Sequence, residues 1–333
     1  MLPLSFHAMV LREEGKSTLA AIESLTPAQL PDFDTLVEID YSTLNYKDAL
    51  AVTGRGKIVR TWPLVPGIDF AGTIVETTHP GLAEGMKVVL TGWSVGEKYW
   101  GGYSEFQRVR GEWLVPLPGG LSARQAMMIG TAGFTGMLCV NALEEQGVRP
   151  ESGPVLVTGA AGGVGSVATA VLSHLGYEVH ALTGDALKAE YVRSLGACSV
   201  LDDQPWREMP RPLETQRWAA AIDTVGSKVL ARVLAEMNYG GVVAACGLAG
   251  GADLPTSVMP FILRGARLIG VDSVMLPTAK RIPTWQRIVE ALPVGHLERI
   301  AGHSVPLAQV VDAATQMLDG HIQGRVLVQV KQR

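Results

Sequence analysis

Val155-Leu156-Val157-Thr158-Gly159-Ala160-Ala161-Gly162-Gly163-Val164-Gly165 decides the fold. A short β-branched run enters a glycine turn directly, and the following residues 167–176, VATAVLSHLG, read as a helix. Ala160, Gly162 and Gly165 stand at the positions of a G-x-G-x-x-G turn whose first glycine is replaced by alanine. Gly162 lets the backbone approach a pyrophosphate, and Gly165 lets the helix lie close to its strand. The helix N-terminus then offers N–H groups and the positive end of its dipole to phosphate. This strand, turn and helix predict dinucleotide binding through the run Gly162, Gly163, Val164, Gly165 and Ser166.

Downstream, the same pattern repeats. YEVHALTG (177–184), CSVLD (198–202), WAAAIDTVG (218–226), GGVVAACG (240–247) and ARLIGVDSV (266–274) are short apolar strands separated by helix-compatible segments. About six parallel strands covered by helices follow, a doubly wound Rossmann domain. Upstream, LVEIDYST (36–43), FAGTIVET (70–77), MKVVLTGW (86–93) and FQRVRGEWLVPLP (106–118) are cut by Gly and Pro and read as a compact β domain. Helical spacing begins near Ala123, where GTAGFTG (130–136) reads as glycine-rich helix packing between domains. The C-terminal strand GRVLVQV (324–330) is expected to return to the first domain. The organisation expected is therefore α/β: a β-rich domain over 1–128 and 276–333, and a Rossmann domain over 129–275.

With 333 residues, two cores are the natural arrangement. Apolar residues make up 47% and charged residues 18%, and no uninterrupted apolar stretch reaches membrane-spanning length. The net charge of -4 is mixed along the chain, which argues against nucleic-acid and membrane partners. The N-terminal stretch carries acidic residues and no secretory pattern, so a cytoplasmic location is expected. Three dispersed cysteines without a C-x-x-C pair read as reduced thiols, and the seven histidines lack ligand spacing, so no metal site is expected.

Cofactor choice turns on the end of the second Rossmann strand, where an NAD enzyme places a carboxylate for the ribose 2′-hydroxyl. Here Thr183 and Gly184 replace it, leaving room for a 2′-phosphate. Thr183, the Gly184 N–H, Lys188 and Tyr191 are its candidate ligands, unless Lys188 and Tyr191 simply lie on a solvated helix. NADP(H) is expected, with Asp185 as an opposing charge.

LNYKDAL (44–50), PGIDFAG (66–72), WGGYSE (100–105), IGTAGFTGMLCV (129–140), MNYGGVVAACGLAGG (237–251) and VMPFILRGARLIGVDSV (258–274) together resemble the medium-chain dehydrogenase/reductase superfamily. Within it, the chain resembles the acrylyl-CoA reductase group, once described as putative quinone oxidoreductases. The resemblance implies a GroES-like fold for the β-rich, catalytic domain, NADPH as hydride donor, and reduction of acrylyl-CoA to propionyl-CoA. Two rivals stand beside it: a quinone or enone reductase, and a nucleotide-binding protein without turnover.

At the positions where zinc alcohol dehydrogenases carry a ligand cysteine, then a histidine followed by glutamate, this chain has Asn45, Ile68 and Asp69. Metal-assisted chemistry is thereby disfavoured. The resemblance implies cofactor contacts at Tyr46, Gly162 to Ser166, Thr183, Gly184, Leu248, Ile262 and Ser273. The catalytic expectation is that Asn45 and Tyr46 donate to the thioester carbonyl and orient the nicotinamide. Asp69 either holds them or satisfies nearby backbone N–H groups. Arg55, Lys57 and Arg60 form a basic loop for CoA phosphates or only a solvated loop, and Arg325 is a second CoA candidate. A homodimer is expected through the apolar strand ARLIGVDSV.

Overall fold

The computed structural model describes residues 3–331 apart from 16, 185 and 293, so Asp185 lies outside the described residues. The chain divides into two compact units. The first comprises Met1–Thr131, Ser273–Val289 and Ile300–Arg333; the second comprises Ala132–Asp272 and Glu290–Arg299. Glu290–Arg299, read from sequence as part of the first domain, thus falls in the second unit.

In chain order the elements are β1 (Phe6–Glu14), β2 (Ser17–Leu25), β3 (Thr35–Leu44), α1 (Tyr46–Val52), β4 (Asp69–Thr77), β5 (Lys87–Thr91), β6 (Phe106–Val109) and β7 (Val115–Pro116). Next come α2 (Ala123–Glu145), β8 (Val155–Thr158), α3 (Gly163–His174), β9 (Val179–Thr183), α4 (Ala186–Ser194), β10 (Ser199–Asp202), β11 (Trp218–Asp223), α5 (Ser227–Ala235), β12 (Met237–Ala245), α6 (Met259–Arg264) and β13 (Arg267–Gly270). The chain ends with α7 (Thr278–Ala291), α8 (Val294–Ile300), β14 (His303–Pro306), α9 (Val310–Leu318) and β15 (Val326–Gln329).

The first unit is built on a sheet ordered β14-β15-β3-β4-β5-β7, with β6 also paired to β3. All its pairings are antiparallel except β14 with β15. Phe6, Ile39, Phe70, Leu90, Val109 and Val326 meet in its core. Antiparallel pairing brings the last strand beside β3, with Val326 opposite Leu44, so two ends of the sequence share one sheet. That pairing carries Arg325 to the end of β3.

A buried arginine closes this unit. Arg281 on α7 has no exposed surface. Its guanidinium donates to the carbonyls of Thr91, Leu276, Ser273 and Val274 and lies 5.0 Å from the Trp93 ring centroid. Gly92 admits this approach: a Cβ there would stand 2.6 Å from the Val274 carbonyl oxygen and 2.7 Å from the guanidinium.

The second unit holds a six-stranded sheet ordered β10-β9-β8-β11-β12-β13, parallel throughout. Its central strands are buried on both faces, which is why β8 reads as a continuous apolar run rather than an alternation. Leu156, Leu182, Trp218, Leu234 and Val243 form its core. β13 lies at one edge.

α2 is long and apolar enough to cross a membrane, yet most of it is buried in protein, as in the core helix of a globular fold. Its glycines have two jobs. Gly136 packs the helix on α3, a Cβ there meeting Val164 and Ala168 backbone atoms at 3.3 Å. Gly130, read from sequence as another packing position, instead breaks the helix, with φ 54° and ψ -163°.

Candidate active site

The site in the first unit begins where β3 ends. Asn45 precedes α1 in an extended conformation, and the Asp48 carboxylate accepts the Asn45 backbone N–H at 3.0 Å, tying off the first turn. The Asn45 side chain is buried between charges. Its Nδ2 has Asp69 Oδ2 at 3.0 Å, Asp48 Oδ2 at 3.1 Å and Thr43 Oγ1 at 3.1 Å, while its Oδ1 accepts from Arg325 Nη1 at 3.1 Å. Acceptors on one end and a guanidinium on the other fix the orientation of the amide.

Arg325 is 2% exposed. Its Nη2 donates to Thr43 Oγ1 at 2.7 Å and stands 3.9 Å from Asp69 Oδ2. Asp69 opens β4 and is buried. It accepts the Thr43 hydroxyl at 2.6 Å and, through the break in α2, the Thr131 backbone N–H at 2.7 Å. Gly130 is required here because a Cβ would stand 2.3 Å from Arg325 Nη2 and 3.0 Å from Asp69 Oδ2. The buried Tyr103 caps the far side, its hydroxyl donating to the Thr43 carbonyl at 3.1 Å.

Two buried carboxylates therefore share one amide, and one of them, Asp69, also faces a guanidinium. Burial and the nearby Asp69 charge push the Asp48 carboxyl up to about 7, against the pull of the donors on Asn45 and Ile68. Burial also raises the Tyr103 phenol well above its ordinary value. Tyr46, the first residue of α1, is 42% exposed, and its phenol makes no hydrogen bond among the described residues. The chemistry on offer is one accessible phenol on a helix whose start is fixed by a buried ionic network.

Two sequence expectations change. Asn45 was expected to donate to substrate, but its two amide hydrogens are shared among Asp48, Asp69 and Thr43, because those acceptors converge on Nδ2. Arg325 was expected at a CoA phosphate, but the β15–β3 pairing buries it against Asn45 and Thr43. Of the basic loop, Arg55 pairs with Asp319 at 2.9 Å, whereas Lys57 and Arg60 are exposed and form no ion pair among the described residues.

In the second unit, Gly159 is the turn glycine with positive φ, 57°. Ala160 can replace the first motif glycine because the strained conformation lies one residue earlier. A Cβ on Gly165 would stand 2.3 Å from the Gly159 carbonyl oxygen, whereas one on Gly162 would meet only that oxygen, at 3.2 Å. Helix α3 starts at Gly163, so the N–H groups of Gly163, Val164 and Gly165 have no carbonyl partner within the helix. Ser166 is buried, donating to the Gly162 carbonyl and accepting from Tyr191, which ties Tyr191 to the turn. Thr183 ends β9 almost buried, Gly184 is exposed and Lys188 is half-buried on α4. Leu248 and Ile262 are exposed. Ser273 belongs to the first unit, where its carbonyl accepts from Arg281.

The family model for the alcohol dehydrogenase GroES-like domain matches residues 31–119, and that for zinc-binding dehydrogenase matches 163–291. The chain is 55% identical to the probable acrylyl-CoA reductase AcuI of Escherichia coli over 97% of its length and 99% of that protein. It is 52% identical to acrylyl-CoA reductase AcuI of Ruegeria pomeroyi, over 98% and 99%. The chain belongs to the acrylyl-CoA reductase family. It is an oxidoreductase of the medium-chain dehydrogenase/reductase superfamily. Among solved structures, the yhdH oxidoreductase of Salmonella enterica in complex with NADP is 54% identical and superposes with a TM-score of 0.96, covering 98% of this chain and all of that one.

Zinc, which one matched family description implies, does not suit the residues here. Ile68 offers no donor atom, the Asn45 amide is committed, and the Arg325 guanidinium already brings a fixed positive charge beside Asp69. Among the described residues, no three His, Cys, Asp or Glu side chains are placed to hold a metal ion.

Sequence reasoning missed Thr43, Asp48, Tyr103 and Gly130. Asp48 carried a legible signal, an Asn with an acidic residue three positions on at the start of a helix.

The Asp48 environment gives a signed prediction. A carboxyl that titrates near 7 when folded and near 4 when unfolded favours the folded state fully at low pH. That advantage is lost as pH rises to about 7 and then stays constant. Asp48→Asn cannot titrate, so its stability relative to the native chain is expected to rise between pH 5 and pH 8 in urea unfolding. A difference independent of pH would contradict the assignment.

Proposed function

We propose that this chain is a cytoplasmic, NADPH-dependent acrylyl-CoA reductase that converts acrylyl-CoA to propionyl-CoA. The observation that carries the reading is the identity of 55% and 52% to AcuI proteins along almost the entire chain. NADPH would be held by the turn Gly162 to Ser166, by Thr183 and Gly184 with Lys188, and by Tyr46, Leu248, Ile262 and Ser273. The open space over Gly162 and the unpartnered first turn of α3 suit a pyrophosphate. When bound, the cofactor supplies a hydride for the β-carbon of the unsaturated thioester.

Negative charge then develops on the thioester oxygen, and Tyr46 is the residue we assign to meet it with its phenolic O–H. Asn45 and Asp69 are positioning residues, acting through the start of α1 with Arg325 and Asp48. Lys57 and Arg60 are the cations left for the CoA phosphates. Protonation of the α-carbon then completes the saturated thioester.

The partner is a second copy of the chain. β13 ends the parallel sheet with an edge that no strand pairs among the described residues, and Val258, Ile262 and Leu263 expose apolar surface beside it in sequence. Light scattering at micromolar concentration is expected to give twice the chain mass, and a monomer would remove this part of the reading.

Turnover decides the rest. NADPH oxidation is expected to be efficient with acrylyl-CoA and slow with simple quinones and free enones; the reverse order would favour a quinone reductase, and no turnover a binding protein. Tyr46→Phe is expected to lower acrylyl-CoA turnover by about tenfold or more, with the NADPH dissociation constant changing only a few-fold.

A further inference from the structure

The end of β9 carries Thr183 and Gly184, where a dinucleotide enzyme that selects NAD has a carboxylate for the ribose 2′-hydroxyl. A carboxylate is nevertheless there. A Cβ built on Gly184 would stand 2.4 Å from Asp203 Oδ2 and 2.8 Å from Asp203 Oδ1, so the Asp203 carboxylate lies directly over the Gly184 backbone. It arrives from the neighbouring strand: Asp202, the last residue of β10, pairs with Thr183.

This carboxylate is held in place. Residues 204–207 form a single helical turn whose Trp206 is buried in the core of the second unit. Arg207, at the end of that turn, donates from Nη2 to both Asp203 oxygens at 3.1 Å. The Arg207 side chain is still 59% exposed and that of Asp203 26% exposed, so the pair borders solvent beside Gly184. As an exposed pair it contributes little to stability. Its position over the strand end that reads the adenosine ribose is what distinguishes it.

We propose that Asp203 and Arg207 are the cofactor-specificity residues of this chain. Asp203 supplies from β10 the 2′-hydroxyl acceptor that position 184 lacks, and Arg207 is the counter-charge through which a 2′-phosphate is tolerated. The proposal rests on the dinucleotide site assigned above and alters one consequence of it: NADH is accepted alongside NADPH. A 2′-phosphate carries close to two negative charges at neutral pH. Beside a lone carboxylate it is repelled, and beside the Asp203–Arg207 pair that repulsion is offset by the guanidinium. The same carboxylate accepts a hydrogen bond from a 2′-hydroxyl at no cost in repulsion.

The test is the binding of NADP+ and NAD+ to the full-length protein by calorimetric titration, with NADPH and NADH kinetics alongside. Asp203→Asn is expected to tighten NADP+ and weaken NAD+, shifting the ratio of dissociation constants by about tenfold. Arg207→Gln is expected to weaken NADP+ about fivefold or more and to leave NAD+ within about twofold. If both variants keep the native ratio within about twofold, the proposal is overturned. Arg207→Gln changes only an exposed side chain, so misfolding of the Asp203 variant leaves the Arg207 arm decisive. A native protein that prefers NADH, with ratios shifting as stated, would overturn the NADPH preference and sustain this proposal. A strict NADPH preference that neither variant alters would do the opposite.

Discussion

One buried side-chain amide, Asn45, is the constraint on which the first unit's site depends. Its nitrogen faces two carboxylates and a hydroxyl, its oxygen faces a guanidinium, and none of these groups can turn toward water. Removing any one of them would leave a buried charge or donor without its partner, which costs more than the net value of the contact. The network therefore behaves as a unit. It joins the end of β3, the start of α1, the first residue of β4, the break in α2 and the residue before β15, and it leaves the α1 phenol exposed. The first unit thus holds a buried network of charges at the start of the helix whose first residue is the exposed Tyr46.

The ionic core also explains a departure from the zinc members of the superfamily without reference to any ligand. Where a metal would need three or four donors, the chain has one aliphatic side chain, one amide already shared among acceptors, and one carboxylate already facing an arginine. A guanidinium beside Asp69 meets the same electrostatic need, a positive charge next to buried carboxylates, with a group supplied by the far end of the chain.

What the sequence made legible was local. The apolar run of β8, the glycine turn and α3 lie within about twenty residues, and the physics of strand, turn and helix acts over that range. The parallel strands of the second unit are readable for the same reason, as apolar runs at regular spacing. The positive φ of the turn falls at Gly159, one residue before the motif, and no spacing rule reports that. Arg325 was misread because its partners lie about 280 positions away, and only the antiparallel register of β15 with β3 brings it there. Asp203 over Gly184 was invisible for a related reason: a parallel crossover sets neighbouring strands side by side, and no spacing rule reports which loop residue then leans across.

The central claim is that a buried guanidinium, rather than a metal, completes the network at the start of the helix that Tyr46 opens. The most direct measurement is acrylyl-CoA turnover by Arg325→Met, made with and without added zinc, on protein whose folding is verified by circular dichroism. The account predicts that turnover falls by about tenfold or more and that zinc restores none of it, because neither Ile68 nor Asn45 becomes a ligand. Native-level turnover in the variant, or recovery on adding zinc, would contradict it.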